Sequence, residues 1–553
     1  MARSPLLRSL RQILREVRAA KAADLPLDVV REERRARAAS ARLSRRQFLG
    51  GAATAGAVLS LPGRASAART QPVVAVVGGG IGGLTCALAL RDHGINSTVY
   101  EASGRIGGRM FSNTSTWAAG QVSEWGGELV DTGHRTVRRL ARRYGIQMDD
   151  LPTFEPAGAA ETFYFDGHYY SKADADRDFL EMADIVQADL DAAGYPTRYD
   201  DYTPAGAELD AMTVYEWIET RVPGGHSSPL GKVLDMAYVG EFGAETSAQS
   251  ALNLLYLLAF QPDASSLALF GESDERFHMR GGNQRLPEAI AAELGDAVRT
   301  GHCLTRLTRT SGGRYGLTFQ RAGRSCEVVA DFVVLAIPFP VLEHVDTAGA
   351  GFDDLKRMAI SDLGRGHNGK IILQFTNRGW LGTGPWPGVS NGSTFSDAGY
   401  VSSWDTSRGQ AGTPGLLNLY SGGNATDALR ANRPFVTVAD ASAAQDIQTG
   451  LQQIAKVYPG LTWNGRGTVS QFHLARHAGL SYAYYKPGQY TTFGGYEGAK
   501  QGNVYFCGEH TSGDFQGYME GGAITGKDTA FELISAIRGN APDSSNWPLR
   551  GRR

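Results

Sequence analysis

The sequence predicts an α/β fold built around a parallel sheet, and three local patterns near residue 75 indicate it. Residues 73–77 are five small apolar residues in a row, as in a strand that is buried on both faces. A glycine-rich loop then leads into residues 84–91, whose apolar composition is that of a buried helix. Residues 97–100 read as a second strand. Strand, helix and strand in this order predict a βαβ unit.

The loop after the first predicted strand matches the pattern G-x-G-x-x-G. In this pattern Gly78 permits a tight turn, Gly80 lets the backbone approach a pyrophosphate, and Gly83 lets the helix pack against the strand. The N–H groups and dipole at the start of the helix would hold the diphosphate. Glu101 ends the second predicted strand, 18 residues beyond Gly83, where a ribose-binding acid is expected. These features predict a Rossmann-like domain with a bound dinucleotide.

Motifs at both ends of the chain resemble those of the flavin-containing amine oxidases, a family that includes monoamine, polyamine and L-amino-acid oxidases. Residues 101–109 (EASGRIGGR) are similar to the flavin-binding signature, and their second glycine turn places Arg109 as a cation for phosphate. Further matches are residues 504–512 (VYFCGEHTS), 516–523 (QGYMEGGA), 280–283 (RGGN) and Lys370. The resemblance covers residues 73–537 and implies FAD, bound in a Rossmann-like domain of the glutathione-reductase type.

The resemblance also implies that two domains are assembled from alternating segments. The FAD-binding domain is expected to comprise residues 71–144, 276–340 and 465–538, and an α+β substrate-binding domain residues 145–275 and 341–464. Residues 145–275 read as mainly helical, with a capping box at 213–216 and, at 249–260, an apolar helix that lacks a polar face and is therefore expected to be buried. The polar tail, residues 539–553, is expected to be disordered.

Three residues are expected to carry the chemistry, all by resemblance to the family. Lys370 opens an alternating strand and matches the lysine that holds a water against flavin N5, where a fixed cation would favour electron transfer to oxygen. Tyr518 and Tyr482 match an aromatic cage whose two rings clamp the amine. Because the short loop that carries Tyr482 can slip by a residue or two, Tyr484 and Tyr485 are the alternatives to it.

The expected cofactor-binding residues lie in the glycine turns and in the C-terminal motifs. They are Gly78, Gly80, Gly83, Glu101, Arg109, Gly126, Gly127, Gly508, Glu509 and Met519. Residues 479–485 contain no cysteine, whereas family members with covalent FAD use one there, so FAD is expected to be noncovalent. L-Amino-acid oxidases commonly place an arginine just after the second glycine turn, but residues 110–114 contain no cation, which favours an amine without an α-carboxylate. The spacing of the 4 cysteines does not suggest a metal site.

The predicted activity is therefore the FAD-dependent oxidation of an amine. A hydride leaves the carbon next to the nitrogen, the imine hydrolyses to an aldehyde or ketone, and O2 is reduced to H2O2. The alternatives are an L-amino-acid oxidase, an amine dehydrogenase that uses a protein electron acceptor, and an FAD-dependent desaturase of an apolar substrate.

Residues 1–67 predict an export signal of the twin-arginine type with a long basic leader. Residues 44–49 read SRRQFL, a short apolar stretch spans 50–61, and residues 65–67 (ASA) form a cleavage site. The segment carries 14 Lys/Arg and 5 Asp/Glu, and the remainder 41 and 52, so the net charges are +9 and −11. The alternative is that this segment is an ordinary basic amphipathic helix at the N-terminus.

The charge distribution and the leader also predict location and partners. An acidic body argues against nucleic acid as a partner, because phosphate binding needs basic surface. The twin-arginine export machinery is the expected partner of the leader, and the mature chain is expected in the periplasm or outside the cell. No segment of the mature chain is apolar enough to predict a stable membrane anchor.

Overall fold

A five-stranded parallel sheet carries the glycine-rich loop in the computed structural model, which describes residues 72–263 and 265–540 together with 542, 544 and 547. Across the sheet the strands are Val504–Phe506, Phe332–Leu335, Val74–Val77, Ser97–Tyr100 and Val298–Arg299. Val74 and Val76 face a core formed with helices, whereas Ala75 and Val77 face a second core formed with another sheet. Both faces are covered, which explains the uninterrupted apolar run.

Two helices pack closely against each other beside this sheet, Ile81–Asp92 and Met519–Arg538. Glycines allow the approach, since a Cβ added at Gly526 would lie 2.1 Å from the carbonyl oxygen of Gly82. The contact places the start of the second helix, at Met519, near the glycine-rich loop that begins the first. Helices Arg135–Arg143 and Arg285–Leu294 complete this core.

The other core of the parallel sheet is closed by an antiparallel sheet of three strands. Its strands are Cys303–Arg309, Tyr315–Arg321 and Arg324–Ala330. Three two-stranded pairs are Ser112–Asn113 with Ser123–Glu124, Met148–Asp150 with Phe277–Met279, and Gly364–Arg365 with Ala483–Tyr484.

A mixed sheet of eight strands forms the second large element. In order, the strands are Phe435–Thr437, Trp463–Gln471, Asn368–Phe375, Gly415–Gly422, Ser402–Asp405, Ser390–Ser396, Ala160–Phe165 and His168–Tyr170. Asn368–Phe375, which carries Lys370, is buried at every position, so the expected alternation of buried and exposed residues is wrong. Ile371 and Leu373 pack against helix Ala441–Val457, while Ile372 packs against Trp117 on the opposite face.

A helical layer packs against this sheet and supplies much of the cavity described below. Its helices are Lys172–Leu180, Ala183–Ala193, Pro204–Ala211, Val214–Arg221, Pro229–Phe242 and Ala251–Leu258. Short helices elsewhere are Phe339–Leu342, Asp354–Asp362, Gly423–Asp427 and Gln489–Thr492. Single 3₁₀ turns are Ala118–Gly120, Leu151–Phe154, Gly225–Ser227, Thr246–Ala248, Gly295–Ala297, Phe472–Leu474 and Glu509–Thr511.

Two local predictions in the helical layer are confirmed. Thr213 and Glu216 form a reciprocal capping box, in which the Thr213 hydroxyl accepts from the Glu216 N–H at 3.0 Å and the Glu216 carboxylate accepts from the Thr213 N–H at 2.9 Å. Helix Ala251–Leu258 is buried at all eight positions, as its lack of a polar face predicts.

The domain boundaries stay a prediction. Two observations concern residues near the expected boundary at 465 and in the C-terminal tail. Strand Trp463–Gln471 belongs to the eight-stranded sheet and spans the expected boundary at residue 465. Within the tail expected to be disordered, Trp547 is buried and its indole N–H donates to Asp92 at 2.9 Å. The predicted export signal lies outside the described residues. Among the helices that the structure describes, none has the length and apolar character that crossing a membrane requires.

Candidate active site

One cavity of about 620 Å³ is lined by residues from the parallel sheet, the eight-stranded sheet and the helical layer. Twelve of the thirteen predicted site residues line it: Gly78, Gly80, Glu101, Arg109, Gly126, Gly127, Lys370, Tyr482, Gly508, Glu509, Tyr518 and Met519. The exception is Gly83, which lies in the first turn of helix Ile81–Asp92. The cofactor and catalytic roles assigned to these residues stay predictions, but the fold brings twelve of them to a common space.

The glycine-rich loop has the geometry that a dinucleotide needs. Gly78 has a φ of +111°, and a Cβ there would lie 2.4 Å from the carbonyl oxygen of Ala336. A Cβ at Gly83 would lie 2.1 Å from the Gly78 carbonyl oxygen, so this glycine serves helix packing. At Gly80 a Cβ would meet nothing within 4 Å, and no side chain caps the helix. The loop therefore leaves a cradle and first-turn N–H groups for a diphosphate.

Glu101 is held in place by the loop and by its own turn. Its carboxylate accepts from the Gly79 N–H at 2.8 Å and from both the N–H and the hydroxyl of Ser103, at 2.8 and 2.7 Å. Each carboxylate oxygen has a further lone pair. The carboxylate is thus fixed at the cavity wall with capacity to accept from ribose hydroxyls.

Lys370 forms a buried ion pair that the sequence analysis missed. Its Nζ donates to Glu128 at 2.8 Å and to the Gly126 carbonyl oxygen at 2.9 Å. The second Glu128 oxygen accepts from the Trp404 indole at 2.9 Å. Burial alone would raise the pKa of Glu128, but the charges of Lys370 and His278 and the hydrogen bonds hold it below its usual value. The sequence does offer a sign of this pair, because Glu128 is a carboxylate that directly follows the glycine pair at 126–127.

The turn that carries Glu128 is fixed by the interior motif RGGN. The Asn283 amide donates to the carbonyl oxygens of Gly127 and Glu128, at 2.9 and 2.7 Å. Met519 packs on the same turn, since a Cβ added at Gly127 would lie 3.0 Å from its Cγ. Motifs that are far apart in sequence thus converge behind Lys370.

Arg109 is paired with a carboxylate. Its Nη1 donates to Glu509 at 2.8 Å and to the Ser481 carbonyl oxygen at 2.8 Å. Glu509 also accepts from the Gly517 N–H at 2.9 Å. Burial would raise the pKa of Glu509, but the Arg109 charge outweighs it and the pKa lies below the usual value. The pair links the second glycine turn to the C-terminal motif, and a contact of Arg109 with phosphate stays a prediction.

The two predicted cage residues have their phenols anchored at the cavity wall. The Tyr482 hydroxyl donates to the Gly240 carbonyl oxygen at 2.9 Å and lies 2.8 Å from the Tyr420 hydroxyl. The Tyr518 hydroxyl donates to Glu241 at 2.9 Å. Burial raises the pKa of both Tyr482 and Tyr518 well above the usual value, so both phenols are neutral. Tyr420 is a further cavity residue that sequence reasoning missed.

The alternatives to Tyr482 point elsewhere. Tyr484 packs in the core of the helical layer, and the ring of Tyr485 lies against that of Tyr490 at a tilt of 37°, with the centroids 4.1 Å apart. Among the described residues that line the cavity, Tyr482 is present and neither of these is. The structure thus places Tyr482 at the cavity wall and neither alternative, and the cage role of Tyr482 stays a prediction.

Four more carboxylates border the cavity, and none was predicted. They are Glu161 in strand Ala160–Phe165, Glu241 in helix Pro229–Phe242, and Asp274 and Glu275 in the loop before strand Phe277–Met279. Burial raises the pKa of Glu241 to about 7, and the negative charge of Asp131 adds to this. Sequence reasoning could have found Glu241, because it interrupts an otherwise apolar helix end. No sequence pattern marks the other three.

The cavity residues fit FAD held without a covalent bond. The cradle and the fixed carboxylate of Glu101 suit a pyrophosphate and a ribose. No cysteine is among the described residues that line the cavity. The four cysteines are free thiols, and Cys507 lies in the core as expected.

The fold and the cavity define an α/β nucleotide-binding enzyme, and comparison with known proteins identifies its class. Residues 81–534 match the model of the flavin containing amine oxidoreductase family, and the chain belongs to that family. Its cofactor is therefore FAD, and it is an oxidoreductase acting on amines. The predictions of family, fold class, cofactor and enzyme class are confirmed.

Relatives and solved structures agree with this assignment. An L-amino acid dehydrogenase of Synechocystis sp. is 22% identical over 485 residues, 84% of this chain and 94% of that protein. A flavin-containing amine oxidase of Danio rerio is 22% identical over 493 residues, 86% of this chain and 88% of that protein. The structure of cyclohexylamine oxidase from Brevibacterium oxydans IH-35A superposes with a TM-score of 0.71 at 20% identity, covering 85% of this chain and 100% of that chain. This last likeness concerns the fold.

Proposed function

We propose that the protein is an oxidase of primary or secondary amines that lack an α-carboxylate. The observation that carries the proposal is that one cavity is lined both by the glycine-rich loop and by the anchored phenols of Tyr482 and Tyr518. When bound, FAD supplies the acceptor for two electrons and passes them to O2, giving H2O2.

The residues of this chain bind and orient the amine. The rings of Tyr482 and Tyr518 present apolar faces, and their hydroxyls are fixed by Gly240 and Glu241. A neutral amine between such faces keeps its nitrogen lone pair free, and cation–π attraction helps recruit the protonated form. Phe242, Phe270 and Phe395 also line the cavity and exclude water from the reacting carbon. Lys370, fixed by Glu128, supplies a positive charge on the same wall.

An L-amino-acid substrate is the second candidate, because one relative is named an L-amino acid dehydrogenase. Such a substrate needs a cation for its carboxylate. The arginines among the described cavity residues are Arg105, Arg109 and Arg476. Arg109 is paired with Glu509, and Arg105 donates to the Gly108 carbonyl oxygen within the cofactor turn. Arg476 is next to His477, and the charge of Glu101 acts on the pKa of His477. Arg476 therefore lies at the end of the cavity where Glu101 is expected to bind the cofactor.

The test is anaerobic reduction of the holoenzyme by a panel of amines and L-amino acids, followed by loss of flavin absorbance. We expect amines to bleach the flavin, and admission of air to release H2O2. Tyr518→Ala should slow reduction while FAD stays bound, and Tyr202→Ala, at an exposed tyrosine, should leave it unchanged. Reduction by amino acids alone, or by no compound of either set, contradicts the proposal.

We further propose that the protein is exported by the twin-arginine route and acts outside the cytoplasm. The support is the order SRRQFL, apolar stretch and ASA within residues 44–67. This route carries folded proteins, which suits a chain that must acquire FAD in the cytoplasm.

A further inference from the structure

Three side chains with metal-ligating atoms lie together at one end of the eight-stranded sheet. They are His367, Asp427 and His473, and one ligand atom from each lies within 4.8 Å of the other two. None of the three is among the described residues that line the cavity. Asn368 and Lys370 do line it, so the alternation of side chains along a strand turns His367 to the opposite face of the sheet. The cluster is therefore separate from the active site.

The register of the sheet explains why the two histidines meet. Strand Asn368–Phe375 begins just after His367 and lies between two antiparallel neighbours. One of these, Trp463–Gln471, ends opposite Gly369. The same register followed two residues further along each chain places His473 opposite His367. Residues in opposite positions on neighbouring strands have their side chains side by side, so the pairing of the strands sets the pairing of the imidazoles.

The short helix Gly423–Asp427 brings a carboxylate to the same place. The N–H of its first residue, Gly423, donates to the His367 carbonyl oxygen at 3.0 Å, and the His367 N–H donates to the Gly243 carbonyl oxygen at 2.7 Å. The carboxylate of its last residue, Asp427, accepts from His367 Nδ1 at 2.9 Å. Hydrogen bonds of the main chain therefore hold one imidazole and the carboxylate in position relative to each other.

The third member of the cluster has a nitrogen without a partner. The Nδ1 atom of His473 is buried and makes no hydrogen bond within the part of the chain that the structure describes. The ring of His473 is nearly parallel to that of His367, with an angle of 14° between the planes and 4.4 Å between the centroids. A buried nitrogen without a partner costs free energy, and a bound ligand can recover it.

Small rotations of side chains complete the geometry of a metal site. An ion about 2.1 Å from each of two ligand atoms holds these atoms roughly 3.0–3.4 Å apart at right or tetrahedral angles. The ligand atoms of His367 and Asp427 are already 2.9 Å apart. An imidazole binds an ion in the plane of its ring, so the stacked rings have to turn about χ2. The side chains of His367 and Asp427 are 37% and 54% exposed and have room for this.

We propose that His367, Asp427 and His473 bind one divalent transition metal ion. Two imidazoles and one carboxylate suit ions such as Zn²⁺, whereas Mg²⁺ and Ca²⁺ prefer oxygen ligands alone. The ion connects the ends of three chain segments, two of which continue into Asn368 and Phe472 at the cavity. It therefore stabilises this wall and takes no part in the oxidation. The inference goes beyond the proposed function and does not depend on it.

The test uses untagged holoenzyme from which metal has been removed with a chelator. Isothermal titration calorimetry with Zn²⁺ should give one site per chain, and Mg²⁺ at the same concentration should not compete. With Zn²⁺ at a hundredfold excess over its Kd, the midpoint of thermal unfolding should rise by about 3 °C. Crystals soaked in Zn²⁺ should show an anomalous scattering peak between the three side chains. The rate of flavin reduction by substrate should not change.

Variants locate the ion. Asp427→Asn keeps the size of an exposed side chain that can still accept from His367, and His473→Gln keeps a polar group in place of the half-buried imidazole. Each removes a ligand and should weaken Zn²⁺ binding at least about tenfold. His226→Gln is the matched control, because His226 Nδ1 is likewise bonded to a carboxylate, that of Glu219, at 2.6 Å. It should leave the affinity for Zn²⁺ unchanged.

The FAD content and the unfolding midpoint without metal show whether each variant is folded. Three results overturn the metal site. They are the absence of Zn²⁺ binding up to millimolar concentrations, binding that neither Asp427→Asn nor His473→Gln weakens, and binding that His226→Gln weakens as much as they do. All three leave the amine oxidase function in place, because flavin reduction by amines is measured separately.

Discussion

At the scale of single residues, the buried ion pair of Lys370 and Glu128 is expected to affect both the stability of the protein and the reaction of the reduced enzyme with oxygen. If Lys370 supplies the charge that favours electron transfer to oxygen, Lys370→Met should slow reoxidation of the reduced holoenzyme on the order of a hundredfold. It should also destabilise the protein by about 3 kcal/mol, because the Glu128 carboxylate is left buried and unpaired. Stopped-flow reoxidation and thermal unfolding measure the two effects.

The double variant Lys370→Met/Glu128→Gln separates these effects. Removing both charges should restore much of the lost stability while reoxidation stays slow. Lys356 offers a matched control, since it too is a buried lysine, donating to the backbone oxygens of Tyr496 and Glu497, at 2.8 and 2.6 Å. Lys356→Met should lower stability and leave reoxidation unchanged; an unchanged oxygen rate in Lys370→Met would remove its assigned role.

At the scale of elements, helix Val214–Arg221 packs against helix Pro229–Phe242, which carries Glu241. Its first turn is closed by the capping box of Thr213 and Glu216. Thr213→Ala removes this cap and should cost about 1 kcal/mol, which speeds hydrogen exchange of the first-turn amides about fivefold. Exchange measured by mass spectrometry on a peptide spanning residues 213–221 reports it.

Thr220 in the same helix is the matched control. Its hydroxyl donates to the Glu216 carbonyl oxygen at 2.7 Å, an oxygen four residues back that lies within the helix. Thr220→Ala should leave exchange of the first turn unchanged, because the cap is untouched and alanine favours the helix. Equal exchange in the two variants would mean that tertiary packing, not the cap, fixes this turn.

At the scale of the whole molecule, the parts of the fold that were predictable are those written in short stretches of sequence. Strand Val74–Val77, its glycine loop and helix Ile81–Asp92 follow from a continuous apolar run and three glycines. Helix Ala251–Leu258 follows from its missing polar face. Strand Asn368–Phe375 was predicted to alternate because a single sequence does not reveal that helix Ala441–Val457 and Trp117 cover its two faces.

The site divides in the same way. Lys370, Tyr482 and Tyr518 were found because they sit in motifs. Glu161 and Glu275 reach the same cavity from segments more than a hundred residues apart in the sequence. No spacing rule joins such residues, so only the folded chain brings them together. The pairing of Lys370 with Glu128 likewise depends on the turn that carries Glu128, which is held in place by the distant motif at residues 280–283.

Export concerns the whole chain. The prediction that the chain is exported by the twin-arginine route depends on the arginine pair at 45–46. Arg45→Lys/Arg46→Lys keeps the charge but removes the guanidinium groups, and should leave the precursor in the cytoplasm. Arg34→Lys/Arg35→Lys alters a second arginine pair in the same leader and should leave export intact. Because the route carries folded protein, the exported fraction should already contain FAD, as its absorbance will show. Export that survives the first change, or exported protein free of FAD, contradicts the assignment.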